Sequence, residues 1–206
     1  MNPARLIFVD ETGRIVDGDA VMLLCARQLQ REGRLRSNAV VATVMSNIGL
    51  ELALRDAGIG MVRCSVGDKY VMEEMIRRNI ALGGEQSGHV IFRDRSTTGD
   101  GLLTGIELVL AVRAAGVPVS ELVARIPRLP QVVINSRVRR LEDWREDAEF
   151  VAAVERATLL MGDRGRILVR PSGTEPKIRI MVEGDDATEI DRIARELATL
   201  AEARLN

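Results

Sequence analysis

Apolar runs separated by short polar turns divide about the first 120 residues into alternating strands and helices. Residues 39–44 form a continuous apolar run, which is typical of a central strand covered on both faces. The predicted order begins with a strand over 5–9, a turn over 11–14 that returns through 15–16, a helix from 17 to about 32 with apolar residues at helical spacing, and a strand over 39–44. It continues with a helix capped by Ser46 and ending at Gly58, a strand over 61–64 and a helix over 68–78. A strand over 90–92 and a helix from 101 to near Gly116 complete the order. This alternation predicts a three-layer α/β domain.

The pattern changes at residues 125–130, where Pro127 and Pro130 interrupt the periodicity. The predicted order beyond them is a strand over 131–135, a helix over about 147–160, a hairpin centred on residues 171–174 and a final helix over 187–204. That order predicts a small α+β domain, an antiparallel sheet backed by helices. The expected organisation is therefore an α/β domain over 1–124 and an α+β domain over 125–206.

The charge balance excludes several classes of partner. The chain has 206 residues, with 29 Lys and Arg against 30 Asp and Glu, so no overall field favours nucleic acid or an anionic membrane. A basic stripe interleaved with aromatic residues is also missing, which argues against nucleic-acid binding. Any anion site must therefore be local.

Cysteine usage and hydropathy add two expectations. Cys25 and Cys64 lie far apart without metal-ligand spacing, and the chain has a single histidine, so we expect buried free thiols rather than a zinc site. No long apolar stretch or signal peptide is present. These features favour a soluble, cytoplasmic protein that does not interact with a membrane.

Residues 83–89 (GGEQSGH) concentrate glycine, carboxylate, amide, hydroxyl and imidazole groups in seven positions. Glycine allows the backbone to approach a ligand closely. Glu85 and Ser87 together offer an acceptor and a donor suited to neighbouring hydroxyls, and His89 is the chain's single histidine, the residue type most often used for proton transfer. The alternative is a polar turn between two strands whose histidine is merely hydrogen-bonded.

A second polar loop lies between two strand-like runs near the C-terminus, over residues 170–176 (RPSGTEP). Arg170 supplies a planar guanidinium, Ser172 and Thr174 supply hydroxyls, and Gly173 exposes backbone N–H groups. Together they are suited to a phosphate monoester. The alternative is an ordinary hairpin with a solvated arginine.

These two loops resemble functional loops of the α-D-phosphohexomutases. Residues 84–89 are similar to that family's sugar-binding loop, and residues 170–176 to its C-terminal phosphate-binding loop. Residues 16–19, 45–47, 66–71 and 97–104 resemble the bacterial branch that acts on glucosamine phosphates. The resemblance covers nearly the whole chain.

The resemblance implies an enzyme that interconverts glucosamine 6-phosphate and glucosamine 1-phosphate through a phosphoserine and a 1,6-bisphosphate intermediate. It implies sugar-hydroxyl binding by Glu85 and Ser87, and proton transfer by His89. The distal phosphate would be bound by Arg170, Ser172, Gly173 and Thr174. Other candidates for the sugar pocket or the metal edge are Arg5, Asp68, Lys69 and Tyr70; for the last three, a solvated helix start is an equal alternative.

The resemblance is confined to the third and fourth of the family's four domains. The family's catalytic serine and Asp-rich Mg²⁺ loop have no counterpart here: Arg5 matches the arginine that ends the loop, but residues 1–4 (MNPA) replace its aspartates. The expectation is a C-terminal half without metal ligands of its own, inactive alone. Its partners would be a phosphorylated amino sugar, the missing N-terminal half and, through exposed interface, a homo-oligomer. The alternatives are a phosphoglucomutase or phosphomannomutase fragment and a non-catalytic phosphosugar-binding module.

Overall fold

A computed structural model describes residues 5–139, 143–172 and 175–206 of the chain. The chain divides into two compact units, the first ending at Arg128 and the second beginning at Leu129. The domain boundary expected from the sequence lies slightly earlier, after residue 124. Each unit has its own hydrophobic core.

The first unit contains a four-stranded sheet in the order β4-β3-β5-β6 and a separate two-stranded hairpin, β1-β2. Its elements are β1 (Phe8–Val9), β2 (Ile15–Val16), α1 (Gly18–Arg31), β3 (Ala39–Thr43), α2 (Ile48–Asp56), β4 (Gly60–Cys64), α3 (Asp68–Arg77), β5 (Leu82–Gly84), β6 (Val90–Phe92), α4 (Gly101–Ala115) and α5 (Val119–Ala124). Strand β3 pairs in parallel with β4 and β5, whereas β6 is antiparallel to β5.

Side chains of β3 alternate between two cores on opposite faces of the sheet. Val40 and Ala42 pack into the core that includes α1, whereas Val41 packs with Val71 and Met75 of α3. Because all three β3 side chains are fully buried, the strand reads as a continuous apolar run. The predicted three-layer α/β fold is confirmed.

The structure corrects the sequence prediction at several element boundaries. The first strand covers only Phe8–Val9, and Arg5 instead forms an isolated bridge with His89. Helix α2 is capped by Asn47, whose side chain accepts from the Gly49 N–H at 2.9 Å, and not by Ser46. Strand β5 and helix α5 were not predicted, because both are short and β5 consists largely of glycine.

The second unit is an antiparallel sheet in the order β7-β9-β8. Its main elements are β7 (Gln131–Arg137), α6 (Ala148–Met161), β8 (Gly165–Pro171), β9 (Lys177–Gly184) and α7 (Ala187–Arg204). Ile178, Ile180 and Val182 of β9 point into a core shared with α6 and α7. The predicted α+β fold is confirmed here.

The structure also describes the two cysteines and the apolar character of the helices. Cys25 and Cys64 are both free and buried, and burial raises the pKa of the Cys64 thiol to about 11. Across the described residues, every helix is too short or too polar to cross a membrane.

Helix α4 offers a direct test of the first core. Leu108 is fully buried, and we predict that Leu108→Ala lowers the free energy of unfolding by about 2–5 kcal/mol through lost burial and a residual cavity. Leu102 on the same helix is 77% exposed, so Leu102→Ala is the matched control and should change stability by less than about 0.5 kcal/mol. Urea denaturation measures both, and equal effects would contradict the assigned core.

Candidate functional site

The 84–89 loop is a tight turn between β5 and β6. The Glu85 N–H donates to the His89 carbonyl at 2.8 Å, and the Gly88 N–H donates to the Glu85 carbonyl at 3.0 Å. Gly88 has a φ of +92°, which strongly favours glycine. The turn therefore projects Glu85, Gln86 and Ser87 from the end of the sheet.

Helix α1 approaches this loop so closely that its residue at the point of contact, Gly18, has no room for a side chain. The Gly18 N–H donates to the Gln86 carbonyl at 2.9 Å. A Cβ atom on Gly18 would lie 2.1 Å from the Glu85 carbonyl oxygen. The first turn of α1 thus fixes the backbone of the loop.

Glu85 is the centre of the hydrogen-bond network, although it is only 8% exposed. Its Oε1 accepts from the Gly67 N–H at 2.9 Å, and its Oε2 accepts from the Ser87 hydroxyl at 3.1 Å. The same Oε2 lies 3.2 Å from His89 Nδ1. These contacts hold the carboxylate beside Ser87, as the proposed hydroxyl-binding pair requires.

The surroundings of His89 define its tautomer. Arg5 Nε donates to His89 Nε2 at 3.3 Å, so Nε2 acts as an acceptor. The ring proton is then on Nδ1, which faces Glu85 at 3.2 Å and Asp68 at 3.6 Å. The carboxylates thereby orient the ring in the way that general acid–base histidines are oriented.

The same atoms argue against a resident metal ion. Asp68, Glu85 and His89 each place one ligand atom within 4.8 Å of the others. However, the ring atom that would bind a metal is Nδ1, which carries the proton while Arg5 occupies Nε2. Mg²⁺ also prefers oxygen ligands in octahedral geometry. The described residues therefore do not fit the Mg²⁺ implied by the family resemblance.

A second buried carboxylate, Asp19, lies behind the loop and is 4% exposed. Its Oδ2 accepts from the Asn47 N–H at 2.8 Å and from Gln86 Nε2 at 3.3 Å. Burial raises the pKa of Asp19 to about 6, even though hydrogen bonds from Asn47 and Ser46 act in the opposite direction. In the sequence, Asp19 lies within the 16–19 segment that resembles the bacterial branch of the family, but the sequence analysis assigned it no role at the site.

An open cleft of about 210 Å³ lies in front of these groups. It is lined by Thr43, Met45, Val66, Glu85, Gln86 and Ser87. This volume is below the roughly 300 Å³ at which small-molecule pockets begin. The cleft therefore suits one edge of a sugar rather than an entire phosphosugar.

The four further candidates at this site separate into two groups. Arg5 and Asp68 both approach His89. Tyr70 is 46% exposed, and the Lys69 ammonium lies 5.9 Å from its ring centroid and 3.8 Å from Glu73. The described contacts thus place Lys69 and Tyr70 on the surface of α3 and not in the cluster around His89.

In the second unit, the described residues of the 170–176 loop lie at the end of the β8–β9 hairpin. Ser172 is 9% exposed, and its N–H donates to the Lys177 carbonyl at 2.8 Å. Arg170 is half-buried at the end of β8. Gly173 and Thr174, the other predicted phosphate ligands, lie outside the described residues.

The register of this hairpin adds a residue that the sequence analysis missed. Arg179 lies directly opposite Arg170 across the β8–β9 pair. Its Nε is buried and has no hydrogen-bond partner within the described part of the chain. The signal was present: Lys177 and Arg179 alternate with the core residues Ile178 and Ile180, which puts both cations on the face opposite the helices.

The family models identify the class of protein. Residues 17–129 match "Phosphoglucomutase/phosphomannomutase, alpha/beta/alpha domain III", and residues 133–200 match "Phosphoglucomutase/phosphomannomutase, C-terminal domain". The chain therefore belongs to the phosphoglucomutase/phosphomannomutase family. The resemblance expected from the two loops is confirmed at the level of both domains.

Within that family, similar curated relatives are phosphoglucosamine mutases. The chain is 49% identical over 204 residues to the enzyme of Caldanaerobacter subterraneus subsp. tengcongensis and 49% identical over 201 residues to that of Symbiobacterium thermophilum. These alignments cover 98% of this chain but only 46% and 45% of the two enzymes. The chain thus spans about half the length of the curated relatives it matches.

Solved structures agree on the fold. A phosphoglucomutase/phosphomannomutase family protein from Burkholderia thailandensis aligns with a TM-score of 0.77 at 24% identity, covering 99% of this chain and 46% of that one. Aspergillus fumigatus N-acetylphosphoglucosamine mutase, solved with GlcNAc-6P and magnesium, aligns with a TM-score of 0.76 at 20% identity, covering 97% and 46%. At these identities the likeness concerns the fold alone.

The raised pKa of Asp19 predicts how stability depends on pH. Stability from a carboxyl whose pKa is raised on folding is present below its ordinary value of 3.8 and is lost as pH rises through about 6. We predict that Asp19→Asn, which cannot ionise, is more stable than the wild type at pH 7.5 by up to about 3 kcal/mol. The advantage should fall to about 1 kcal/mol at pH 4.5 and disappear only below the ordinary value of 3.8.

Urea denaturation at the two pH values measures this difference. Asp17→Asn is the matched control, because Asp17 lies on the same helix start but is less buried and pairs with Arg128 at 3.3 Å. A wild type that is more stable than Asp19→Asn at pH 7.5 would contradict the raised pKa.

Proposed function

We propose that this chain supplies sugar-hydroxyl and distal-phosphate recognition in a phosphoglucosamine mutase. The parent reaction interconverts glucosamine 6-phosphate and glucosamine 1-phosphate through a phosphoserine enzyme and a 1,6-bisphosphate intermediate. The observation that carries the proposal is the Glu85–Ser87 pair, held at 3.1 Å on the rim of an open cleft. The identity to phosphoglucosamine mutases supports this substrate over unsubstituted hexose phosphates.

The proposed reaction must hold one ligand in two opposite orientations. When a 1,6-bisphosphate turns end over end, adjacent ring hydroxyls exchange places. A carboxylate accepts from either hydroxyl, and a serine hydroxyl can donate or accept, so Glu85 and Ser87 can bind both orientations. The Gly67 N–H fixes one oxygen of Glu85 and leaves the other directed towards Ser87.

The 170–176 loop would bind whichever phosphate is not reacting. Arg170, Ser172, Gly173 and Thr174 are the proposed ligands, and we add Arg179 because of its position opposite Arg170. A guanidinium offers two parallel donors to a phosphate. Binding energy at this remote group can position the reacting end of the substrate and so lower its barrier.

His89 is the proposed general acid–base group. Its Nδ1 is oriented by Glu85 and Asp68, so the ring can exchange a proton at Nε2 if a substrate hydroxyl replaces Arg5 there. The family resemblance implies that Mg²⁺ and phosphoserine belong to other segments of the enzyme. This chain's share is therefore to position the sugar and to move a proton.

In an active full-length enzyme that contains these residues, we predict that His89→Gln lowers kcat more than it raises KM. The reason is that a proton-transfer group acts mainly in the transition state. A reduction of about 100-fold or more in kcat is the expected scale. Arg77→Gln, an exposed change on α3, is the control; a normal kcat for His89→Gln would exclude proton transfer.

The recognition role can be tested by a phosphorus NMR titration of the 206-residue chain with glucosamine 1,6-bisphosphate and, separately, with inorganic phosphate. We predict saturable shifts for both ligands and their loss in Arg170→Ala. Arg164→Ala is the matched control, because Arg164 lies in the same unit and pairs with Glu189 at 2.9 Å on the surface. Glu85→Ala should weaken only the bisphosphate, since inorganic phosphate has no ring hydroxyls.

The outcomes of this titration distinguish a recognition role from catalysis by the isolated chain. Binding without a new phosphate resonance, after addition of glucosamine 6-phosphate and Mg²⁺, supports a recognition role without turnover. A glucosamine 1-phosphate signal would show that the isolated chain is catalytic and would overturn that division of roles. Equal binding by wild type and Arg170→Ala would overturn the phosphate site.

A further inference from the structure

We propose that Asp19 is a positioning residue of the cleft, whose carboxylate joins two of its walls, the Gln86 side chain and the 45–47 turn. The proposal rests on the proposed function, because it assigns a role within the same sugar-recognition site. Asp19 does not line the cleft itself. It acts from behind, through two residues whose segments do.

The geometry joins the two walls at a single atom. Asp19 Oδ2 accepts from the Asn47 N–H at 2.8 Å and from Gln86 Nε2 at 3.3 Å. Gln86 lines the cleft together with Glu85 and Ser87, and so does Met45, two residues before Asn47. Removing the acceptor therefore loosens both walls at once.

The backbone contact alone cannot do this. The Gly18 N–H fixes the carbonyl of Gln86, but it leaves the side chain of Gln86 free to rotate about its own χ angles. The 45–47 turn is braced from elsewhere by Arg63, whose Nη1 donates to the Ser46 carbonyl at 2.9 Å. Asp19 is the group that couples this turn to the loop.

A charged acceptor suits this position because it binds two N–H donors strongly. A buried carboxylate without such donors would be too unfavourable. Hydrogen bonds to a carboxylate are roughly twice as strong as those to a neutral group. The cost is desolvation, since Asp19 is 4% exposed. Asp19 would therefore lower the free energy of unfolding at neutral pH while it orders the cleft, which is the usual trade-off between stability and function.

The charges that act on Asp19 come from two segments. Asp17 on the same helix start raises its pKa, and Arg63 on β4 lowers it. Both neighbours are themselves paired, Asp17 with Arg128 at 3.3 Å and Arg63 with Glu51 at 3.0 Å. Burial outweighs them, so Asp19 becomes protonated near pH 6, and a protonated oxygen accepts both N–H groups less well.

The test compares Asp19→Asn with Asp17→Asn in the 206-residue chain. We expect Asp19→Asn to bind glucosamine 1,6-bisphosphate about 5- to 10-fold more weakly at pH 7.5, while inorganic phosphate binds as before. Its melting temperature at that pH should be equal to or above that of the wild type. Asp17→Asn should bind within about twofold of the wild type, because Asp17 has no described contact with Gln86 or Asn47.

A separate measurement needs no ligand. In the wild type, the NMR resonances of the Gln86 side-chain amide and the Asn47 backbone amide should titrate together with a midpoint near pH 6. Asp19→Asn should abolish this response, and Asp17→Asn should retain it.

The outcomes distinguish this proposal from the function on which it rests. Weaker bisphosphate binding together with a lower melting temperature would make Asp19 a merely structural residue and would overturn the proposal. Unchanged binding would also overturn it. If the wild type binds no phosphosugar, the proposed function fails, and the amide titrations alone then decide whether Asp19 couples the two walls.

Discussion

The approach of helix α1 to the 84–89 loop is the constraint on which the proposed recognition site depends. Gly18 donates its N–H directly to the Gln86 carbonyl, and the loop comes so near that a Cβ atom would collide with the Glu85 carbonyl oxygen. This contact joins the start of the first long helix to the turn between β5 and β6. It therefore transmits the rigidity of the core, in which most of α1 is buried, to a loop that would otherwise be free to move.

Two carboxylates lie in this junction, and each is nearly buried. Glu85 is supported by the Gly67 N–H, Ser87 and His89, whereas Asp19 is supported by the Asn47 N–H and Gln86. Desolvating a charge is unfavourable unless hydrogen bonds compensate, and for Asp19 the compensation is incomplete, as its raised pKa indicates. The loop is thus ordered by buried carboxylates, which are not the residues that would make the core most stable. This is the pattern expected where binding, and not folding, determines residue choice.

The sequence predicted the layers and most elements, because long apolar periods and capping residues are local signals. It predicted α7 over 187–204, and the final helix is Ala187–Arg204. It failed where tertiary contacts decide: Ser46 and Asn47 are equally good caps locally, and only the fold assigns Asn47 to α2. The same holds for the site. Glu85, Ser87 and His89 stood out as a motif, whereas Asp19 and Arg179 acquire their places only from a helix–loop contact and a strand register.

The outer face of the second unit's sheet shows how register creates an anion site. Arg166 lies opposite Glu183, and the two form an ion pair at 2.8 Å although Glu183 is fully buried. Four residues further along β8, Arg170 lies opposite another arginine, Arg179. Like charges directly opposite each other destabilise an antiparallel pair. One arginine on this strand thus faces a carboxylate across the strand pair, whereas the other faces a second arginine. Because the net charge of the whole chain is close to zero, this pairing of two cations depends on the register of β8 and β9 and not on composition. A phosphate bound between the guanidinium groups would replace their repulsion with two favourable contacts, and this register therefore supports the proposal that the 170–176 loop binds phosphate.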